Sequence, residues 1–278
     1  MTKINFELFF PALRPWVMNL VNVWPAYIIK PQYANWEVLH ILSLTLLGGT
    51  AILMNLRLLG RGITEEPPSE VYRNLRRWQD VGVIGIVVSG VLIGMANAEK
   101  LYDSTAFVVK MCALLGGVIL TYGASRPVAR ADGAVPVSAR LWFILGGLIW
   151  LAGLVIFATG TLVNVGLYHV ILAAALIVLI AAQGRLRWIF LIGLLVIFAV
   201  HQWVTHVTYA DPFDLKHLDP ANKVFTWIYV VWIAAAAAAQ TFMASRNKAT
   251  PALAKLIAWS TILVWVTGAA AGRWIAFE

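Results

Sequence analysis

Apolar residues run almost unbroken through eight stretches of about twenty residues, near 35–59, 81–98, 104–123, 141–160, 164–183, 187–205, 223–244 and 256–276. Short polar segments separate them. In a bilayer every backbone donor and acceptor must be satisfied without water, so only helices and closed barrels cross it. Barrel strands read as roughly ten-residue alternating segments. The runs here do not alternate, and the pattern predicts an all-α polytopic membrane protein with about eight transmembrane helices.

The polar segments alternate in basic content. On one side lie Arg57, Arg61, Arg73, Arg76, Arg77, Arg126, Arg130, Arg140, Arg185, Arg187, Arg246, Lys248 and Lys255, thirteen in all. The other side holds Lys3, Arg14, Lys30, Lys100, Lys216, Lys223 and Arg273, which is seven. The positive-inside rule places the thirteen in the cytoplasm, so both termini are expected to be periplasmic in a bacterial inner membrane. The net charge of +8 is thus a topology signal rather than a nucleic-acid footprint.

The first 33 residues read as a periplasmic interfacial helical segment. Pro11, Pro15, Pro25 and Pro31 interrupt them, and they lack the pattern of a cleavable signal peptide. Pro15, Asn19 and Asn22 share one face, while Trp16, Val17, Leu20 and Trp24 take the other. Phe9 and Phe10 add further anchors. Residues 34–160 then read as a first four-helix unit and 161–278 as a second. A faint echo between Ala139-Arg140-Leu141 and Ala254-Lys255-Leu256, and between Trp150–Gly153 and Trp265–Gly268, suggests duplication. Gly82, Gly85, Ser89, Gly90 and Gly94 lie near one face of the second helix and suit close helix packing.

Only 12% of the chain is charged and 61% is hydrophobic, so the expected surroundings are membrane lipid. The single cysteine, Cys112, excludes an internal disulfide and a thiolate metal cluster. No nucleotide motif, catalytic triad or metallohydrolase motif is present, which argues against a self-contained enzyme of the soluble type. Ionisable groups inside a membrane are costly and mark function by default. At a rise of about 1.5 Å per residue, His40, Lys110, His169 and His201 fall within one thin slab under the outer surface. Glu37 and Arg273 lie at its edge. The cytoplasmic half is expected to hold nothing comparable, and Arg57 reads as a topology anchor. His206 and His217, among Asp211, Asp214 and Asp219, read as a solvated outer loop.

Two chemistries suit the slab. A b-type haem takes two axial imidazoles, with basic groups near its propionates. His40 and His169 would be its ligands, with His201 in reserve, and Arg273 and Lys110 would attend the propionates. A copper site would draw on His40, His169 and His201 together.

The run WEVLHILSLTLLGGTAILMNLRLLG at 36–60, FVVKM at 107–111, and the closing Trp265 with GRWIAF at 272–277 carry a resemblance. They resemble an uncharacterised family of bacterial inner-membrane domains, akin in style to the copper-resistance protein D membrane domains. That resemblance implies about four helices, with histidine in the first, lysine in the third and glycine–arginine near the end of the last. His40, Lys110, Gly272 and Arg273 match those positions. Asn55 stands where the resemblance implies an acidic residue, and the usual four helices are here eight. The expected function is electron transfer by a haem protein between a periplasmic or membrane partner and the quinone pool. The alternatives are a copper-handling or small-solute membrane protein, or a cofactor-free anchor subunit.

Overall fold

The computed structural model describes residues 4–159, 163–208, 215–245 and 251–277, and among these there is no strand. The eight long helices are α1 Tyr33–Leu58, α2 Pro68–Ala96, α3 Thr105–Ile119, α4 Val137–Thr159, α5 Val163–Ala181, α6 Gly184–Thr208, α7 Leu215–Ser245 and α8 Ala252–Trp274. Seven spans among the described residues are long and apolar enough to cross a membrane. In α5 the apolar stretch is the shorter Val170–Ala181. The protein is an all-α, multi-pass membrane protein.

Turn chemistry sets the helix ends. Gly60 and Gly62, at φ +76° and +71°, take the chain out of α1 in a left-handed conformation that glycine adopts freely. Pro68 opens α2, where its missing N–H removes no helical bond. Ser104 caps α3, its Oγ accepting from Phe107 N at 3.0 Å. After Ile119 the helix loosens into a π-turn, Leu120–Ser125, and then continues as Arg126–Arg130. Before α1, residues 6–32 form a series of short helical turns. Phe9, Phe10, Trp16 and Trp24 are exposed there and Val17 is buried, as an interfacial segment requires. Asn5 Nδ2 ties the segment to the Asp103 carbonyl, between α2 and α3, at 3.3 Å.

The α1–α2 seam is closed by absent side chains. A Cβ on Gly82 would stand 2.7 Å from the Leu47 backbone nitrogen, and one on Gly85 would strike the Ser43 side chain. The two helices therefore meet nearly backbone to backbone. α8 packs chiefly on α3, α1 and α5. Val264 and Trp265 of α8 share one core cluster with Leu47, Ala113, Leu120 and Trp150 from the first four helices. Trp150 Nε1 donates to Thr267 Oγ1, and Trp265 Nε1 donates to Thr121 Oγ1, both at 3.0 Å.

The last helix packs into the core of the first four, and on its other side Trp259 and Ile262 join Ile171, Phe190 and Tyr229 of α5, α6 and α7 in another cluster. α8 thus stands between the two groups of helices.

Candidate functional site

The outer centre is built by three helices. His40 of α1 is 8% exposed. Its Nδ1 lies 2.9 Å from Ser89 Oγ of α2, and its Nε2 lies 3.2 Å from Lys110 Nζ of α3. Ser89 in turn donates its hydroxyl proton to the Gly85 carbonyl at 2.5 Å. Ser89 Oγ has one proton, already given, so toward His40 it accepts. His40 Nδ1 therefore carries a proton and Nε2 is the acceptor for the Lys110 ammonium. The donor sequence is Lys110 to His40, His40 to Ser89, and Ser89 to backbone.

Close approach makes the centre compact. A Cβ on Gly90 would sit 3.2 Å from His40 Cε1, and one on Gly272 would sit 3.6 Å from Lys110 Nζ. Beneath the centre the interface turns dry: Leu47, Ala51 and Ala113 are each almost fully buried. Among the described residues no three of His, Cys, Asp or Glu gather as a metal site.

The other residues of the expected slab are placed differently. His201 belongs to the α6–α7 pair, its Nε2 3.0 Å from Asn222 Oδ1 and its ring stacked on Phe225 at 4.3 Å between centroids. Arg273 is exposed at the outer end of α8, and it is its neighbour Gly272 that lies against Lys110. His169 lies in α5, with its side chain outside the described residues, as are the side chains of His217 and Asp219; Asp211 and Asp214 fall wholly outside them. The structure thus joins His40 with Lys110, adds Ser89, and sets His201 in another helix pair.

The end of the bundle opposite His40, expected to hold nothing comparable, holds a second polar cluster. Arg126, counted above among the thirteen basic residues of one side, is 6% exposed. Its Nε donates to Gln79 Oε1 at 2.8 Å and its Nη2 to Asp80 Oδ1 at 2.6 Å. The guanidinium lies 3.9 Å from the Tyr122 ring centroid, and Tyr122 donates to Asp80 Oδ1 at 2.7 Å. Ser125 donates to Oδ1 of the fully buried Asn55 at 2.7 Å, and Asn55 Nδ2 donates to the Ala51 carbonyl at 2.8 Å. Thr121, Tyr122 and Ser125 all belong to the π-turn. Its wider winding aims their side chains at three different helices, α8, α2 and α1.

One sequence signal for the inner centre was available. Arg126 lies in a helix that starts at Thr105, on an unbroken path through α3. An arginine there must either snorkel to the surface or find partners inside.

A family model described as a family of unknown function (DUF6644) matches residues 25–166, just over half of the chain. The chain belongs to this family. The DUF6644 stretch runs from the outer segment through α1–α4 into α5, so it contains His40, Gln79, Asp80, Ser89, Lys110 and Arg126. His201, Gly272 and Arg273 lie beyond it. No curated protein and no solved structure matches the chain.

Proposed function

We propose that this chain is an inner-membrane protein, with both termini periplasmic, that exchanges protons with a small anionic solute at its outer centre. The observation that carries this reading is the Lys110–His40–Ser89 chain, a cation hydrogen-bonded to an imidazole. A half-buried ammonium with an imidazole rather than a carboxylate at its side suits an incoming anion. The imidazole gives the pair a second proton-carrying group, with its two nitrogens facing different partners. Ser89 spends its proton on a backbone carbonyl, and the apolar layer of Leu47, Ala51 and Ala113 lies below. Proton exchange therefore runs back toward Lys110 and the outer face.

The test uses detergent-purified protein in weak buffer with a pH indicator, titrated with acetate. Binding coupled to a change in indicator colour is expected for the wild type. Lys110→Met and His40→Ala should both abolish it. Acetate binding without proton exchange, or no binding at all, would overturn the reading.

A second reading, a b-type haem passing electrons between a periplasmic or membrane partner and the quinone pool, is favoured by the His40 Nδ1 contact. An N–H held by a hydroxyl fixes the imidazole with Nε2 presented outward, as an axial ligand needs. This reading requires Lys110 to leave Nε2 and turn toward a propionate, and it draws its second ligand from His169 or His201, with Arg273 as a further propionate partner. A Soret band in the same sample, shifted by dithionite and lost in His40→Ala, would establish it over the first. Copper held by His40 with His169 and His201 is read by elemental analysis of that sample.

A further inference from the structure

The inner centre leaves one buried donor without an acceptor. Gln79 is 1% exposed, and its Nε2 has no hydrogen-bond partner. Its orientation is fixed, because Oε1 accepts from Arg126 Nε and a turned amide would set N–H against N–H. Arg126 uses Nε for Gln79 and Nη2 for Asp80 and the Arg76 carbonyl, while Nη1 makes no hydrogen bond among the described residues. A buried orphan donor is rare and calls for an explanation, often a missing ligand or ion. Here it belongs to a side chain that touches the buried Arg126 guanidinium.

The surroundings say what the missing acceptor is. Arg76 and Arg130 stand beside Arg126 against the single carboxylate of Asp80, so the local charge is positive. Asp80 on Nη2 and Gln79 on Nε stand along one edge of the guanidinium, and the Gln79 N–H is the buried donor left to meet an anion there. Arginine and amide donors in this arrangement suit the oxygens of a phosphate. The rim carries exposed aromatic rings, Trp78, Tyr122 and Trp142, of the kind that settle at the headgroup level of a bilayer.

We propose that the Gln79–Arg126 centre binds a phosphate oxyanion at the cytoplasmic boundary of the membrane, from a phospholipid headgroup or from free phosphate. Recognition runs through Gln79 Nε2 in the positive field of Arg126, and Arg76 adds charge at the entrance. Asp80 holds the guanidinium in place beside the Gln79 amide.

Thermal unfolding of the full chain in neutral detergent tests this with three probes: dioleoylphosphatidylglycerol, dioleoylglycerol, which lacks the phosphate, and inorganic phosphate. A rise in Tm with phosphatidylglycerol alone assigns the site to lipid, and a rise with inorganic phosphate alone assigns it to the free ion. In either case Gln79→Leu should weaken the apparent affinity by about tenfold. Arg76→Gln, at an exposed position that does not endanger folding, should weaken it by about threefold. No shift with either phosphate probe, an equal shift with dioleoylglycerol, or a shift that both variants retain in full would overturn the proposal.

Discussion

The two polar centres of this protein hold their cations in opposite ways. At the inner centre Arg126 is met by a carboxylate, an amide oxygen, a backbone carbonyl and an aromatic face. At the outer centre Lys110 is met by a histidine nitrogen. A cation in a membrane must be compensated, and compensation by fixed protein charge yields a structural joint. Compensation by a neutral imidazole leaves charge to be answered from elsewhere. The inner centre therefore ties helices together, while the outer one leaves its cation beside a neutral ring.

The comparison is broken most directly at Asp80. Asp80→Ala removes the carboxylate and leaves Arg126 buried beside Gln79, which should lower stability by about 2 kcal/mol, less than a fully buried pair because the Asp80 side chain is 43% exposed. Thermal unfolding in detergent reads this, and a loss below about 1 kcal/mol would remove the inner centre's structural role. One step smaller, Ser125→Ala leaves the buried Asn55 Oδ1 without its donor and should cost about 1–2 kcal/mol.

Lys110→Met sharpens the contrast. It deletes a half-buried cation at the cost of one hydrogen bond to His40, so stability should stay within about 1 kcal/mol of the wild type. Acetate-linked proton exchange should nevertheless vanish. A fall in Tm as large as that of Asp80→Ala would mean that both centres are structural.

The smallest effect lies at the inner surface, outside both centres. Asp132 Oδ1 accepts from the Ser69 N–H at the start of α2, at 2.9 Å. These hydrogen bonds from Ser69 hold its carboxyl below the usual carboxylate range. A depressed folded-state pKa gives stability that is present above the unfolded value and lost as pH falls through the folded one. Asp132→Ala should therefore lower Tm slightly near neutrality and make no difference in strong acid. A Tm difference that persists unchanged into acid would show that the residue's left-handed backbone, at φ +48°, matters instead.

Much of this was legible in the letters, and the limits have physical causes. Length and apolarity alone place the helices, because lipid leaves the backbone no other option. Equal depth below the outer boundary links His40 to Lys110, since rise per residue converts number to height. Height says nothing about azimuth, which is why His201, at a similar level, faces Asn222 in another pair. The glycines of α2 mark the seam that brings Ser89 to His40, although their pattern speaks of packing alone. Arg126 was hidden for a different reason. Its position near the basic inner loop fits the charge rule whether it faces water or Gln79, and only the π-turn decides which.

The interleaving of α8 with α1, α3 and α4 has a consequence for how the protein is made. Helices leave the ribosome in order, so α5, α6 and α7 enter the membrane before the partner of the first four exists. Until α8 arrives, the hydroxyl of Thr121 and the indole N–H of Trp150 lack the partners that they hold in the finished protein. The early bundle is thus an open assembly that waits through three further insertions for its last member. A membrane quality-control protease that samples nascent chains would meet its best substrate in that interval, and shortening it would raise yield without altering the mature fold.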